Sequence, residues 1–277
     1  MDVLKPYLKW AGGKRQLLPE ITENLPPEAG KYTYYEPFAG AGAVLFALRP
    51  EKAVINDRNT QLMISYQAVK NQVDALVVLL EEYQKNNSRE FFYRIRNLDR
   101  NPGEFARLTC VEKAARFIFL NKTCYNGLYR VNAGGLFNVP YGRNKNPRIC
   151  EAALLRRISA YLNSRDITLL NRDFEEAAGD AGENSFIYFD PPYYAEGRPG
   201  FTCYQADGFS AGDQERLRDV FAAAAERGAK CLLSNSDTGF IRDLYRGFSI
   251  TAVSAKRAIN SDAAGRGSVG EVLIRNY

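Results

Sequence analysis

Histidine is missing altogether from the 277 residues. That removes His-based triads, imidazole general bases and most zinc sites. Chemistry in this chain must run on carboxylates, amides, aromatic rings, lysine and arginine, and no metal is expected. Cysteine is sparse and odd in number: Cys110, Cys124, Cys150, Cys203 and Cys231 are scattered, with no C-x-x-C pair. Such usage fits free thiols in a reducing compartment. Long apolar runs are absent too, so no bilayer span is expected. Met1-Asp2-Val3-Leu4-Lys5-Pro6 has no signal-peptide core. A cytoplasmic protein without a membrane partner is the expectation. The length suits one large domain or two modest ones with a real core.

Charge is unevenly spread. Residues 85–148 hold 13 Lys/Arg against 4 Asp/Glu, whereas the rest of the chain is mildly acidic. Residues 121–148 hold five basic residues and no acid. A solvated charged face would explain any one of these residues. A one-signed segment interleaved with aromatics favours a phosphate-rich partner.

The order of elements reads as an α/β protein. Residues 32–38 form a β-rich aromatic run leading into Glu36-Pro37-Phe38-Ala39-Gly40-Ala41-Gly42, then a short apolar helix and a strand, Ala53-Val54-Ile55-Asn56, closing on Asp57. Strand, glycine loop, helix, strand and acid make the first unit of a Rossmann-like sheet, with Asp57 where such folds hold ribose hydroxyls. The loop is not G-x-G-x-x-G, and no basic residue waits for a pyrophosphate, which suits a nucleoside cofactor without phosphates. Leu8-Lys9-Trp10-Ala11-Gly12-Gly13-Lys14 precedes it and lacks P-loop spacing. Apolar positions from Leu62 to Leu80 recur at helical spacing and read as core. Helices are expected near 90–98, 111–121 and 151–162. Strands are expected at 167–170, 186–189, 230–233 (closing on Ser234-Asn235-Ser236), 248–253 and 268–274. Catalytic residues 1–60 and 151–277 are thus interrupted by a mainly helical insertion, 61–150.

Alternation around Gly134-Gly135 predicts a β-hairpin at the end of the insertion. Arg130 there suits the O6/N7 edge of guanine, and Arg143 or Lys145 suits phosphate. Loops at 194–200 and 256–267 are expected to border a site, the first as a lid.

Phe186-Ile187-Tyr188-Phe189-Asp190-Pro191-Pro192-Tyr193 reads as a strand covered on both faces and stopped by two prolines. Asp190 and a free proline carbonyl would place two acceptors at one spot. Two acceptors can grip both hydrogens of an exocyclic amine, leaving its lone pair available. Tyr193 would offer a stacking face. A Pro-Pro turn with an N-capping Asp fits the four residues alone equally well.

Taken together and in order, Lys9-Trp10-Ala11-Gly12-Gly13-Lys14, Glu36-Pro37-Phe38-Ala39-Gly40-Ala41-Gly42, Tyr125-Asn126-Gly127-Leu128-Tyr129-Arg130, Phe137-Asn138-Val139-Pro140-Tyr141-Gly142-Arg143 and Asp190-Pro191-Pro192-Tyr193 resemble the Dam-type DNA adenine-N6 methyltransferases, D12 class or alpha group, which act on GATC. The resemblance implies a Rossmann-like S-adenosylmethionine-dependent methyltransferase sheet with an inserted DNA-recognition segment. It implies S-adenosylmethionine over Gly40 and Gly42, with Trp10, Ala11, Gly12 and Lys14 at its methionine end and Lys14 facing its carboxylate. Glu36 and Phe38 border it, Asp57 takes its ribose, and Asp173, Phe174 and Asp190 complete the pocket. The target adenine would leave the stack and be held by Asp190, Pro191, Pro192 and Tyr193. Lys9, Tyr125, Asn126, Leu128, Arg130 and Pro140 would lie at bases and Arg143 at the backbone of double-stranded DNA, one monomer acting on each strand. The product would be S-adenosylhomocysteine. Rival readings are an N4-cytosine or RNA-adenine methyltransferase, a non-catalytic DNA-binding protein and a nicotinamide-dependent oxidoreductase.

Overall fold

A computed structural model describes residues 4–195, 209–255 and 269–277. In chain order the elements are α1 (Leu18–Glu23), β1 (Thr33–Glu36), α2 (Ala43–Leu48), β2 (Lys52–Asn56), α3 (Thr60–Asn71), α4 (Val73–Lys85), α5 (Arg89–Arg96), α6 (Pro102–Arg107), α7 (Cys110–Thr123), α8 (Ala152–Ser164), β3 (Asp166–Leu170), α9 (Phe174–Ala178), β4 (Ser185–Phe189), α10 (Ala211–Glu226), β5 (Lys230–Ser236), α11 (Gly239–Leu244), β6 (Ser249–Ala255) and β7 (Val269–Arg275). The loops expected at 196–200 and 256–267, and Cys203, lie outside the described residues.

The seven strands form one sheet in the order β3-β2-β1-β4-β5-β7-β6. β3 to β5 are parallel, and β7 runs antiparallel to both its neighbours. This is the Rossmann-like methyltransferase arrangement. Every residue of β4 is buried, as a central strand covered on both faces requires. From β1 the chain passes to β2 on one side and later to β4 on the other. That reversal opens a crevice at the carboxyl ends of β1 and β4, where ligands bind in open α/β sheets. Glu36 ends β1, and Asp190 follows β4 directly.

Between β2 and β3 the described chain is helical apart from its loops. Asn59 caps α3 by accepting from Leu62 N–H, and Thr109 forms a capping box with Glu112 on α7. α7 packs on α3 and α4. Its buried Phe117, Ile118, Phe119 and Leu120 join the same apolar cluster as Phe46, Tyr188 and Leu273, so the helices and the sheet share one core.

Several elements differ from the sequence expectation. The stripe from Leu62 to Leu80 is two helices, broken at Gln72 (φ −142°, ψ 36°); both pack on α7 and α8, and α3 also reaches β3. α6 and α9 were not expected: each is a short turn started by a side-chain cap, Asn101 and Asp173. The expected hairpin is present but short: Val131 and Phe137 pair antiparallel across Gly134-Gly135, with Asn132 N–H donating to Leu136 O and Asn138 N–H to Arg130 O, and Cys124↔Tyr141 is a separate bridge. Asn126 and Gly127, at φ 55° and 65°, turn the chain out of strand geometry between the two. Ser234, Asn235 and Ser236 lie inside β5, paired with Leu273, Val272 and Glu271 of β7, not in a turn beyond it.

Candidate active site

The glycine loop after β1 is shaped by what already fills its surroundings. Gly40 and Gly42 have φ of 49° and 74°. A Cβ on Gly40 would meet Trp10 Cδ1 at 2.8 Å, and one on Gly42 would meet Tyr66 Oη at 2.5 Å and Phe46 at 2.9 Å. Tyr66 OH donates to the Gly40 carbonyl at 3.1 Å. Asp57 tethers the loop from β2: Oδ2 accepts from Gly40 N–H at 2.9 Å and Oδ1 from Asn59 N–H at 2.8 Å. Burial pushes the Asp57 carboxyl up to about 6 against these two hydrogen bonds. Glu36 is buried at the end of β1, where Oε2 accepts from Tyr34 OH at 2.9 Å. Burial pushes it up to about 8, with Asp190 and Asp57 adding to the rise and Tyr34 and Leu45 N–H opposing it.

Aromatic rings line both flanks. Half-buried Trp10 stacks on Tyr129 at 5.8 Å and 20°. Ala11 and Gly12 follow, the latter with φ 74°. On the far side Phe38 stacks on Phe174 at 5.2 Å. Asp173 caps α9 through Oδ1 and pairs with Arg216 through Oδ2 at 2.9 Å, and Arg216 lies over the Phe174 ring.

Asp190 has its two oxygens in different situations. Oδ1 accepts from Ser234 Oγ at 2.9 Å and pairs with Lys14 Nζ at 2.7 Å. Among the described residues no donor reaches Oδ2, and the side chain keeps 18% exposure. Burial raises its pKa, Glu271 adds to the rise, and Lys14 and Ser234 counteract it. Residues 191–195 are not helical, so Asp190 is not an N-cap. Lys14 also donates to Gly12 O at 2.7 Å and lies 4.5 Å from the centroid of the Tyr193 ring.

The segment after Asp190 is clamped by residues that the sequence did not single out. Gln214 on α10 donates to Pro192 O at 2.9 Å and accepts from Asn235 Nδ2 at 3.0 Å. Asn235 Oδ1 accepts from Tyr194 N–H, and Ser236 Oγ donates to Tyr194 O. Tyr193 OH donates to Glu271 Oε2 on β7 at 2.7 Å. No such bond occupies the Pro191 carbonyl among the described residues. The available signal was polar residues inside apolar strands: Ser-Asn-Ser after Leu232-Leu233, and Glu271 before Val272.

The basic segment gathers beside Trp10. Buried Asn121 accepts from Lys9 N–H and donates to the carbonyls of Lys9 and Gly127. Lys9 then lies across Gly127, where a Cβ would meet its side chain at 2.5 Å. Tyr125 is 51% exposed, Asn126 is exposed and Leu128 half-buried. Pro140 O accepts from Tyr125 N–H at 2.9 Å. Exposed Arg130 donates from Nε to Asn138 Oδ1 at 2.8 Å. Arg143 is exposed and makes no ion pair among the described residues. A buried Arg116–Asp99 pair at 2.7 Å anchors this loop, because Asp99 also accepts from Phe137 N–H.

A model of the D12 class N6 adenine-specific DNA methyltransferases matches residues 10–259. The chain belongs to that family. Relatives agree over nearly the full length. The Type II methyltransferase M1.LlaDCHI of Lactococcus lactis subsp. cremoris is 43% identical over 276 residues, covering 99% of this chain and 96% of that protein. The Type II methyltransferase M.MjaIII of Methanocaldococcus jannaschii is 43% identical over 292 residues, covering 99% of both. The DNA adenine methylase of Escherichia coli strain K12 is 32% identical over 273 residues, covering 97% and 94%. As a D12-class methyltransferase the protein acts on adenine N6 in DNA and draws its methyl group from S-adenosylmethionine. The crevice suits that cofactor: two carboxylates raised by burial, Glu36 and Asp57, flank a glycine loop, which favours a cation over a pyrophosphate. No described helix is long and apolar enough to cross a membrane.

Proposed function

We propose that this protein is a Dam-type enzyme that methylates adenine N6 within GATC of double-stranded DNA, with the target base turned out of the helix and one monomer acting on each strand. The observation carrying the proposal is Asp190 at the carboxyl end of β4, whose Oδ2, like the Pro191 carbonyl, meets no donor among the described residues, with the Tyr193 ring two residues beyond Pro191. Two acceptors there grip the two N6 hydrogens, and Tyr193 supports the base. An adenine N6 inside a duplex cannot reach such a crevice, which is why the base must leave the stack.

The cofactor, when bound, supplies an electrophilic methyl group. Trp10, Ala11, Gly12, Glu36, Phe38, Gly40, Gly42, Asp57, Asp173 and Phe174 would hold it, and Lys14 would meet its carboxylate. The protein's own contribution is to fix N6 in line and to accept its hydrogens, so positioning and electrostatics carry the rate. The surplus proton leaves N6 afterwards. Residues 61–150 serve as the recognition segment. Arg130 reads the outer guanine, Tyr125 fills the space the adenine vacates, Lys9, Asn126, Leu128 and Pro140 lie along the bases, and Arg143 meets phosphate.

Transfer of labelled methyl groups to duplexes with and without GATC, followed by mapping of the modified base, tests this directly. The expected result is N6-methyladenine in GATC alone. Asp190→Ala should abolish methylation while leaving duplex binding largely intact. Equal labelling of duplexes lacking GATC would remove the specificity, and full activity in Asp190→Ala would remove the mechanism.

A further inference from the structure

Asp190 presents a problem that its backbone cannot solve. Pro191 stiffens the main chain, but the terminal torsion of an aspartate is broad and roughly two-fold. Without outside restraint either oxygen, in a range of orientations, would face the crevice. We infer that Ser234, oriented by Tyr188, is a positioning residue that ties down Asp190 Oδ1 and so reserves Oδ2 for the amine of the target base. The inference rests on the proposed role of Asp190.

The geometry comes from sheet register. Phe189 pairs with Leu233 on β5, so the next residues along, Asp190 and Ser234, are neighbours. Tyr188 is two residues before Asp190 and points to the same face. Its OH lies 2.9 Å from Ser234 Oγ, and Ser234 Oγ donates to Asp190 Oδ1 at 2.9 Å. A serine hydroxyl has one proton. With that proton on Asp190, Tyr188 must be the donor to Ser234. The chain therefore runs one way: Tyr188 O–H to Ser234 Oγ, Ser234 O–H to Oδ1. Both residues are fully buried, and burial holds the Tyr188 phenol protonated well above its ordinary range. Hydrogen bonds in such a chain strengthen one another.

Lys14 reaches the same oxygen, but its ammonium is shared with Gly12 O and the Tyr193 ring and would turn to the cofactor carboxylate when that binds, so it is not the lasting restraint. Ser234 is held by a strand and a buried ring. Asp190 is further surrounded by Glu36 on β1, Glu271 on β7 and Tyr193. The groups able to shift its titration are thus Lys14, Glu36, Glu271, Ser234, Tyr188 and Tyr193.

The test is single-turnover methylation of a GATC duplex across pH by Ser234→Ala, Ser234→Thr, Tyr188→Phe and the Ser234→Ala/Tyr188→Phe double variant. Misplacement of the acceptor predicts that Ser234→Ala slows methyl transfer about 10- to 100-fold, with cofactor and duplex affinities within about two-fold of the parent. The acid limb should move to higher pH, because a donor that lowers the Asp190 pKa is lost. Ser234→Thr should recover most of the rate. Tyr188→Phe should act in the same direction more weakly, and the double variant should lose less than the product of the two losses. An unchanged rate and acid limb in Ser234→Ala overturn the inference, as does a loss confined to affinity. If Ser234→Ala does not fold, an unchanged rate and acid limb in Tyr188→Phe overturn it. Asp190→Ala, run alongside, separates this failure from failure of the parent proposal: activity surviving there removes the role of the carboxylate itself.

Discussion

Lys14 and Asp190 form an ion pair of 2.7 Å at the carboxyl end of β4, with the ammonium 4.5 Å from the Tyr193 ring centroid. A lysine thus lies against one oxygen of the carboxylate and against the ring that would hold the target base. The ammonium holds Oδ1 and lies against the ring, so base and ammonium compete for the Tyr193 face and not for Oδ2. The proposed cofactor carboxylate offers Lys14 another anion, so cofactor arrival would clear the base site.

That competition predicts an order of binding. A duplex with 2-aminopurine at the target position should stay quenched with the wild-type protein and brighten only when S-adenosylhomocysteine or S-adenosylmethionine is added. Lys14→Ala should brighten without cofactor. Equal cofactor dependence in both proteins would show that Lys14 does not hold the site closed.

Glu36 predicts a pH dependence of stability. Its folded pKa of about 8 lies above the ordinary 4.5, so the folded protein keeps a proton that the unfolded chain has released. Stability contributed by this group is therefore full below about pH 4.5 and is lost as pH rises through 8, by roughly 5 kcal/mol. Glu36→Gln retains an oxygen for Tyr34 and removes the titration. Denaturant unfolding at pH 6 and pH 9 should show a much smaller fall for the variant than for the parent. Parallel falls would place the sensitive group elsewhere.

The architecture of the sheet was legible because its signals are local and strong. A run such as Phe186-Ile187-Tyr188-Phe189 closed by Pro-Pro has few alternatives, and the loop at Gly40 and Gly42 announces its own turn. The carboxylate at Asp190 could be picked out for the same reason. Its supports could not. Ser234, Glu271, Gln214 and Asn121 act across separations of 112 residues in the case of Asn121 and Lys9, and 78 in the case of Glu271 and Tyr193. Such partners are set by which strands and helices become neighbours, and a polar residue in an apolar strand shows only that a partner exists. The break at Gln72 was hidden because the apolar spacing continues through it while the backbone turns, so that both helices can reach α7 and α8.

The same raised carboxylates predict proton release on cofactor binding. S-adenosylmethionine carries net positive charge, and near Glu36 and Asp57 it favours their ionised forms. At pH 7 Glu36, at about 8, holds most of its proton, so binding should expel part of one. Calorimetry in buffers of different ionisation enthalpy should register that release, and affinity should rise with pH up to about 8. Glu36→Gln should abolish most of the buffer dependence. A buffer-independent enthalpy in the parent would mean that the cofactor's charge lies away from Glu36.

Arg130 supplies the sharpest test of sequence reading. Its Nε is engaged by Asn138 Oδ1 at 2.8 Å, which orients the guanidinium plane and leaves its terminal nitrogens for a partner. A guanidinium so oriented could serve the proposed bidentate contact with the O6 and N7 edge of guanine, worth about 1–3 kcal/mol of discrimination. Arg130→Ala should relax the preference for the outer guanine by that amount, read as the ratio of kcat/KM on GATC and on duplexes altered at that base. Arg130→Lys keeps the charge but not the fork and should also lose discrimination. Asn138→Ala frees the guanidinium to rotate and should produce a smaller loss at the same base. Arg143→Ala, removing the proposed phosphate contact, should instead weaken all duplexes alike and reduce the salt dependence of binding. If Arg130→Ala weakens every duplex equally, the residue grips the backbone and another side chain reads the guanine.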